Sequence, residues 1–563
     1  MILIANLLLF PIPDFRYDKY DKKFIVRRII VSIPTLKKQA SGTVLMLHDK
    51  PYIMLAGEVG NSNSSSVEYM EGVWQTAEQL GMNTLLLPIT WDQVEPEEGQ
   101  FDFSLLDGLV LQARGKGKHL VLLWFGSWKN AECMYAPAWV KTDLQRFRRG
   151  QIVKGKNKAP RENAYGMLYT TLSYLCEETC AADARAFGRL MRHLRTLDGE
   201  ENTVLAVQVE NETGLLGTAR ERSDEADVAF AADVPQDFAE YMRSHIETMV
   251  QDVQEAVENG ATSGSWGEVF GSVAEEIFSA YYISRYVNRV AQAGKKEYPL
   301  PMTANCWLDK GGEPGTYPSG GPVSRMYEVW QYGAPCIDLH TPDIYVHDFC
   351  NICDEYTRRG KPLMIPECST HSYSGPRMLY TVGHYHALCY APFGFENMGQ
   401  PFTGTQGYLF GMDVTDPLLK TPQNTAEYGC YGRTLNSLMP LLGERYGTKN
   451  LQAVCSERKD QCAMNFGKFT VYAIVEHPMI QQKDGVCLAM KLSEDECMLV
   501  VNRCGLQFVS AEADKPNLDL LSVEEGRMEN GEWKVTRRLN GDEAALMTFF
   551  EPTVLKVKVF TYV

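Results

Sequence analysis

Between Tyr52 and Asn397 the hydrophobic period of the chain switches again and again, and no other feature restricts the possible folds as strongly. "YIMLAGE" (Tyr52 to Glu58) is a strand-like run, after which Met70, Val73, Trp74, Ala77 and Leu80 recur at helical spacing and end near Gly81. "NTLLLP" (Asn83 to Pro88) is continuously apolar, as a strand buried on both faces must be. Leu106, Leu109, Val110 and Ala113 return to the helical period, and "HLVLLWFGSW" (His119 to Trp128) is strand again. A helix bearing Phe187, Leu190, Met191, Leu194 and Leu197 precedes a strand at Val204 to Val209. Further helices are predicted around Met242 to Val257 and Ile277 to Val290. "LPMTANCW", "IDLHTPDIY", "PLMIPE" and "CYAPFGFEN" supply four more strands. Eight strands alternating with helices predict an α/β chain of the (β/α)8 TIM-barrel class rather than a doubly wound sheet. Neither a GxGxxG nor a Walker-type loop follows any of these strands in the sequence, so a nucleotide-binding sheet has no support.

Beyond about residue 400 the pattern changes. A helix around Thr425 to Leu442 leads into short alternating runs such as "FTVYAIV", "CMLVV" and "VLKVKVFTYV", separated by turn signals at Asn530-Gly531 and Asn540-Gly541. The expected organisation is an N-terminal extension over residues 1–45 and a barrel over 46–400. A connecting loop and helix over 401–445 and a small antiparallel β domain over 446–563 complete it. The opening "MILIANLLLFPIPDF" lacks a basic leading region and a small-residue cleavage site, and its apolar run is too short to span a bilayer. Residues 1–32 are read as an extension without chemistry.

A net charge of −16 argues against nucleic acid or an anionic membrane as partner and is compatible with a neutral substrate such as a sugar. The 15 cysteines follow no secretory framework, which suggests reduced thiols in a cytoplasmic protein. Cys350 and Cys353 form a lone CxxC without a second pair at zinc-finger spacing. No metal or cofactor is expected. Self-association is left open.

In a barrel, chemistry gathers where the strands end. Those ends carry Glu58, Trp91, Trp128, Asn211, Glu212, Asn305, Tyr345, Glu367 and Glu396. Glu212 closes the fourth strand in "VLAVQVENETG" and Glu367 the seventh in "KPLMIPECST". An ionised carboxylate at the end of an apolar strand is costly unless it is paired, protonated or used. Two of them facing one scissile bond, one protonated and one ionised, are what glycoside hydrolysis requires. Strict alternation puts Glu210 and Glu212 on one face and Asn211 on the other, so the strand must bulge or stop there for both Asn211 and Glu212 to reach a sugar. Glu210 then has a supporting part.

"QVENETG", "PLMIPE" and "WDQVEPEEGQFDF" (Trp91 to Phe103) together resemble the clan A glycoside hydrolases. The closest likeness is to family 35 β-galactosidases of the bacterial branch with a compact β domain, over roughly Ser32 to the C-terminus. The "EPEEGQFDF" stretch is shared with family 42. The resemblance implies Glu212 as general acid/base, Glu367 as nucleophile, Asn211 on the sugar 2-hydroxyl and Tyr345 beside the nucleophile. It implies a retaining exo-β-galactosidase acting on small oligosaccharides. A related clan A activity remains open (a β-glucosidase, an arabinopyranosidase or a family 42 type β-galactosidase), as does a non-catalytic carbohydrate-binding barrel. "GSWKNAEC" and "NETG" depart from the Ala-Glu-Trp and Asn-Glu-Tyr-Gly stretches of many members, which puts Lys129 and Asn130 where sugar contacts are expected.

Trp91, Trp128 and Trp307 are candidates for stacking on a pyranose, although each tryptophan taken singly suits core packing equally well, and Trp124 suits it better. Glu58 is divided between holding substrate and supporting its strand. Glu95 is read as a loop anchor. His340, His347 and His371 cluster near two strand ends but match no zinc spacing.

Overall fold

Eight parallel strands close into a barrel with every strand beside its sequence neighbours: β1 (Met54–Glu58), β2 (Thr84–Thr90), β3 (His119–Phe125), β4 (Val204–Val209), β5 (Met302–Trp307), β6 (Leu339–Asp343), β7 (Met364–Cys368) and β8 (Cys389–Pro392). β8 pairs with β1 through Cys389 and Met54. The seam between β6 and β7 is closed by a parallel bridge from Ile344 to Cys368, with Ile344 N donating to Glu367 O at 2.9 Å. This computed structural model describes residues 32–39, 42–154, 159–160, 168–309, 311–401 and 421–563. The expectations for residues 1–31 and for the loop over 402–420 lie outside the described residues.

The two-residue period of the strands separates two cores. Leu85, Leu87 and Ile89 of β2, with Leu120, Leu122 and Trp124 of β3, pack outward on the helices; Leu86, Val121, Leu123 and Phe125 fill the barrel interior. The outer layer includes α1 (Met70–Gln79), α2 (Ser104–Gly115), α3 (Glu177–Asp198), α4 (Ala274–Glu297), α5 (Tyr327–Gly333), α6 (Phe349–Thr357) and α7 (Ser374–Tyr380). The helix expected over Met242 to Val257 is two helices, Gln236–Ser244 and Gln251–Asn259, broken by a 3-10 turn at Ile246–Thr248.

The expected extension over 1–45 is structured in its described part. Thr35–Gln39, Gly42–Leu47 and Lys50–Tyr52 form an antiparallel sheet that leads into β1. Leu45 and Leu47 join the barrel's inner core, plugging its N-terminal end. The strand ends on the opposite side carry the polar residues.

Beyond the barrel, α8 (Thr425–Ser437) and α9 (Met439–Arg445) lie where a single helix was expected, separated by Pro440 at the start of the second. Two antiparallel sheets follow, of six and four strands, around a shared apolar core. Asn530 and Gly531 take φ +51° and +81° and turn the hairpin between Asn517–Glu529 and Glu532–Leu539, as the dipeptide demands. Asn540-Gly541 does not make a hairpin: Asn540 is extended, and Gly541 opens the short helix Gly541–Leu546. Arg377 of α7 crosses to this domain and pairs with both carboxylate oxygens of Glu457, at 2.9 and 2.8 Å.

Candidate active site

Glu367, the fourth residue of β7, is the centre of a converging set of side chains. Tyr345 Oη donates to its Oε2 at 2.8 Å, and Asn211 Nδ2 to its Oε1 at 3.1 Å. Asn305 Nδ2, from β5, stands 3.3 Å from the same Oε1 and 2.8 Å from Asp343 Oδ2. One carboxylate oxygen each from Glu212, Asp343 and Glu367 lies within 4.8 Å of the other two. All these groups are buried, and they arrive from β4, β5, β6 and β7.

The strand-four problem is solved by a stop. β4 ends at Val209, and Glu210 and Glu212 both adopt the left-handed conformation, with φ +64° and +44°. Such a conformation is rare outside glycine and costs about 1–2 kcal/mol per residue, so something must hold it. Glu212 is gripped at both ends of its peptide unit. Its N–H donates to Asn305 Oδ1 at 3.0 Å, and its carbonyl accepts from Ala131 N at 3.1 Å. Glu210 is turned the other way, accepting from Trp128 N at 2.8 Å. Its second oxygen faces Asp183 of α3, a contact that becomes a hydrogen bond only when one of the two acids carries a proton. Burial, then the proximity of Asp183, raises the Glu210 carboxyl well above the usual range, and burial raises that of Asp183. Trp124 Nε1 and Ser127 Oγ donate to Asp183 at 2.9 and 2.8 Å. Gly126 leaves the necessary room, because a Cβ there would lie 2.5 Å from Trp124 Nε1 and 2.7 Å from Glu210 Oε1.

After β3, Asn130 and Ala131 both have positive φ (+53° and +60°) in a tight turn closed by Lys129 N to Glu132 O at 2.8 Å. The turn presents Lys129 inward, where its Nζ donates to Asn211 Oδ1 at 3.0 Å. Burial alone would lower the Lys129 pKa; the field of Glu367, Glu212, Glu58 and Asp343 outweighs it and raises it. Two of the acids are raised as well, which for them favours the neutral form. Burial, followed by repulsion from Glu367, raises Glu58 well above the carboxylate range and does the same to Asp343. Both oxygens of Glu58 and Oδ1 of Asp343 are buried with no hydrogen-bond partner among the described residues. The carboxyls at the strand ends therefore divide in character. Glu367 receives donors on both oxygens, whereas Glu58 and Asp343 are driven toward the protonated form. The spacing of Glu212, Asp343 and Glu367 would admit a divalent cation, but the amides of Asn211 and Asn305 already donate to Glu367 and Asp343, and the field of the Lys129 ammonium acts on the cluster. That donor set suits a carboxylate awaiting a polar substrate.

Sequence-derived candidates fall into two groups. Asn211, Glu212, Tyr345 and Glu367 come together, and Glu58 faces the same cluster. Trp91 is a correction. It is fully buried, its indole N–H donates to Glu95 Oε2 at 3.0 Å, and its ring meets Trp139 edge-on, so it packs the core. Trp128 is also a core ring, edge-on to Tyr286, and serves the site through its backbone, whose carbonyl accepts from Asn211 N at 3.2 Å. Trp307 is half-buried against Ala131 and Leu216, and Asn130 sits at the apex of the turn. Glu95 accepts from Gly99 N and Arg185 as well as from Trp91, which ties down its loop.

His340 is buried against Tyr327 and Trp330, and burial pushes its pKa down to about 3. His371 is buried beside Arg377 and is likewise lowered. Asp343 was missed because β6 ends two residues before Tyr345. Lys129, read from the sequence as lying where sugar contacts are expected, could also have been recognised as the cation that a ring of carboxylates requires. All 15 cysteines are unpaired thiols, and all but Cys336, Cys430 and Cys462 are buried. Among the described residues no helix is long and apolar enough to cross a membrane.

Comparison with known proteins adds three findings. Residues 431–551, from within α8 through most of the C-terminal sheets, match the family described as a domain of unknown function, DUF5597. A curated β-galactosidase from Xanthomonas manihotis is 31% identical over 188 residues, which is 32% of this chain and 27% of that protein. The match thus spans about a quarter of the relative's length. Among solved structures, a β-galactosidase from Bacillus circulans sp. alkalophilus is similar over 69% of this chain and 56% of its own, at 13% identity and a TM-score of 0.43. One from Rahnella sp. R3 is similar over 69% and 57%, at 14% identity and the same TM-score.

Proposed function

We propose that this chain is a retaining glycosidase that removes terminal β-D-galactosyl residues from oligosaccharides. The observation that carries the reading is the separation of Glu212 and Glu367, which present carboxylate oxygens within 4.8 Å of each other at the ends of β4 and β7. Retaining enzymes hold their two carboxyl groups about 5–5.5 Å apart, and inverting enzymes leave room for a water at roughly 6.5–9.5 Å. The choice of sugar leans on the partial match to a β-galactosidase.

In this mechanism a Glu367 oxygen attacks the anomeric carbon as the bond to the aglycone oxygen breaks, and Glu212 delivers a proton to that oxygen. A glycosyl ester on Glu367 results. Water then attacks the same carbon, Glu212 takes its proton, the ester bond breaks and Glu367 leaves as carboxylate. Tyr345 and Asn211 aim Glu367 through their hydrogen bonds. Asn211, already beside the nucleophile, is placed to meet the 2-hydroxyl. The fifteen free thiols favour a reducing cytoplasm as the setting.

The test combines a panel of chromogenic glycosides with labelling. The wild-type protein should prefer the β-galactoside over the β-glucoside and α-arabinopyranoside. A 2-deoxy-2-fluoro galactoside with a good leaving group should label the peptide containing Glu367. Glu367→Ala should be inactive yet folded, and azide should restore part of the turnover as α-galactosyl azide. Labelling at Glu212, or an inverted product from the wild-type protein, would overturn the mechanism.

A further inference from the structure

We infer that Lys129 is a positioning residue of this site, which acts through Asn211 by fixing the direction of its amide and supplies the counter-charge for the surrounding carboxylates. The inference rests on the reading of Glu367 as nucleophile. An asparagine amide can be turned either way with little change of shape, and only one orientation serves a carboxylate. Glu367 Oε1 needs a donor, so Nδ2 must face it, as it does at 3.1 Å. An ammonium has only donors and pairs only with Oδ1, and Lys129 Nζ stands 3.0 Å from that atom. A flipped amide would meet like partners at both ends. Lys129 therefore removes a two-fold choice that Asn211 alone would leave open.

The fold makes provision for this cation in two further ways. Its ammonium lies over the rings of Phe125 and Phe393, 5.1 and 5.9 Å from their centroids, an arrangement that attracts a desolvated cation. The turn that delivers it holds Ala131, a residue with a Cβ, at φ +60°. Backbone strain of this kind persists where the surroundings over-determine it, and Ala131 N here donates to the carbonyl of Glu212. One short turn thus grips the candidate acid with its backbone and the candidate nucleophile's partner with its side chain. Nothing comparable would follow if Lys129 merely tied the loop to the barrel, because any of the acids could then receive it.

The groups facing Lys129 are Glu58 from β1, Glu212 after β4, Asp343 from β6 and Glu367 from β7, with Tyr135 from its own loop. Removal of the cation deletes a charge that favours ionisation within this carboxyl cluster, where it lowers Glu58, so the acid limb of kcat/KM against pH should move to higher pH. A neighbouring opposite charge is worth about one pH unit. Lys129→Met should also lower kcat on an aryl β-galactoside by about 10²-fold, the usual result of a misplacement near 1 Å, with a much smaller change in KM. In an Asn211→Ala background the same substitution should cost far less, because the residue it acts through is gone.

The experiment measures kcat, KM and their pH profiles for the wild-type protein, Lys129→Met, Asn211→Ala and the double variant. Lys129→Gln, which keeps a donor but no charge, should shift the acid limb like Lys129→Met and lose less activity on the alkaline plateau. Losses that multiply in the double variant, an unshifted acid limb, or failure of both Lys129 variants to fold would each overturn the inference and leave Lys129 a structural residue. A wild-type protein inactive on the glycoside panel, or labelled elsewhere than Glu367, would defeat the functional reading instead.

Discussion

Asn305→Ala is the substitution whose consequences can be worked most fully. Asn305 is 1% exposed and bridges three groups: the Glu212 N–H at 3.0 Å, Asp343 Oδ2 at 2.8 Å and Glu367 Oε1 at 3.3 Å. Its removal strands the buried Glu212 N–H, at about 1–3 kcal/mol, and deletes a donor to Asp343 worth roughly 1 kcal/mol. Against this stands the left-handed strain at Glu212, about 1–2 kcal/mol, which the intact site opposes with two backbone anchors. With one anchor gone the two terms are comparable, so Glu212 should relax toward the extended region and carry its carboxyl away from the scissile oxygen.

Stability should then fall by only about 2 kcal/mol, because the relaxation recovers part of the loss. Activity should fall by about 10²–10³-fold, within the range of a lost general acid. Two aryl β-galactosides of different leaving-group acidity, assayed for the glycosylation step before steady state, provide the check. The loss should be concentrated in the substrate with the poorer leaving group, which needs protonation. Equal losses for both, or a loss smaller than about threefold, would refute the link between Asn305 and the placement of Glu212.

Two other predictions concern the scaffold. Glu457→Gln leaves the Arg377 guanidinium, 3% exposed, without its carboxylate, and should destabilise the protein by about 3 kcal/mol with activity at 25 °C unchanged; calorimetry that finds the wild-type melting profile would show that this pair does not join the two domains. Glu210 and Asp183 hold folded-state pKa values above their ordinary ones, so the folded protein keeps a proton that the unfolded chain releases above the ordinary glutamate value of 4.5. Their contribution is complete below that pH and is lost as the pH rises toward the folded-state value. Glu210→Gln, whose amide replaces the shared proton, should give a shallower fall of Tm with pH above about 5 than the wild-type protein shows, and parallel curves would contradict it.

The barrel was legible because strand and helix periods are properties of neighbours along the chain. Each apolar run that had to be buried on both faces ended where the barrel ends, so Glu58, Glu212 and Glu367 were found at or just beyond those ends. Asn530-Gly531 was legible for the same reason, since its left-handed pair is a local requirement, whereas Asn540-Gly541 was claimed by a helix start. What the chain could not show locally is direction and charge. Trp91 follows β2 as a sugar-stacking ring might, but the one-turn helix Trp91–Val94 carries it into the core and onto Glu95. The left-handed turns of Glu210 and Glu212, which send one acid to Asp183 and the other to the site, depend on acceptors and donors from β5 and the loop after β3. The protonation states depend on more distant partners still. Glu58, Glu212, Asp343 and Glu367 are spread over three hundred residues of sequence, and only the closure of the barrel brings them around Lys129. A carboxyl's charge in a buried site is set by the sum of fields through space, and that sum does not exist until the strands that carry them are side by side.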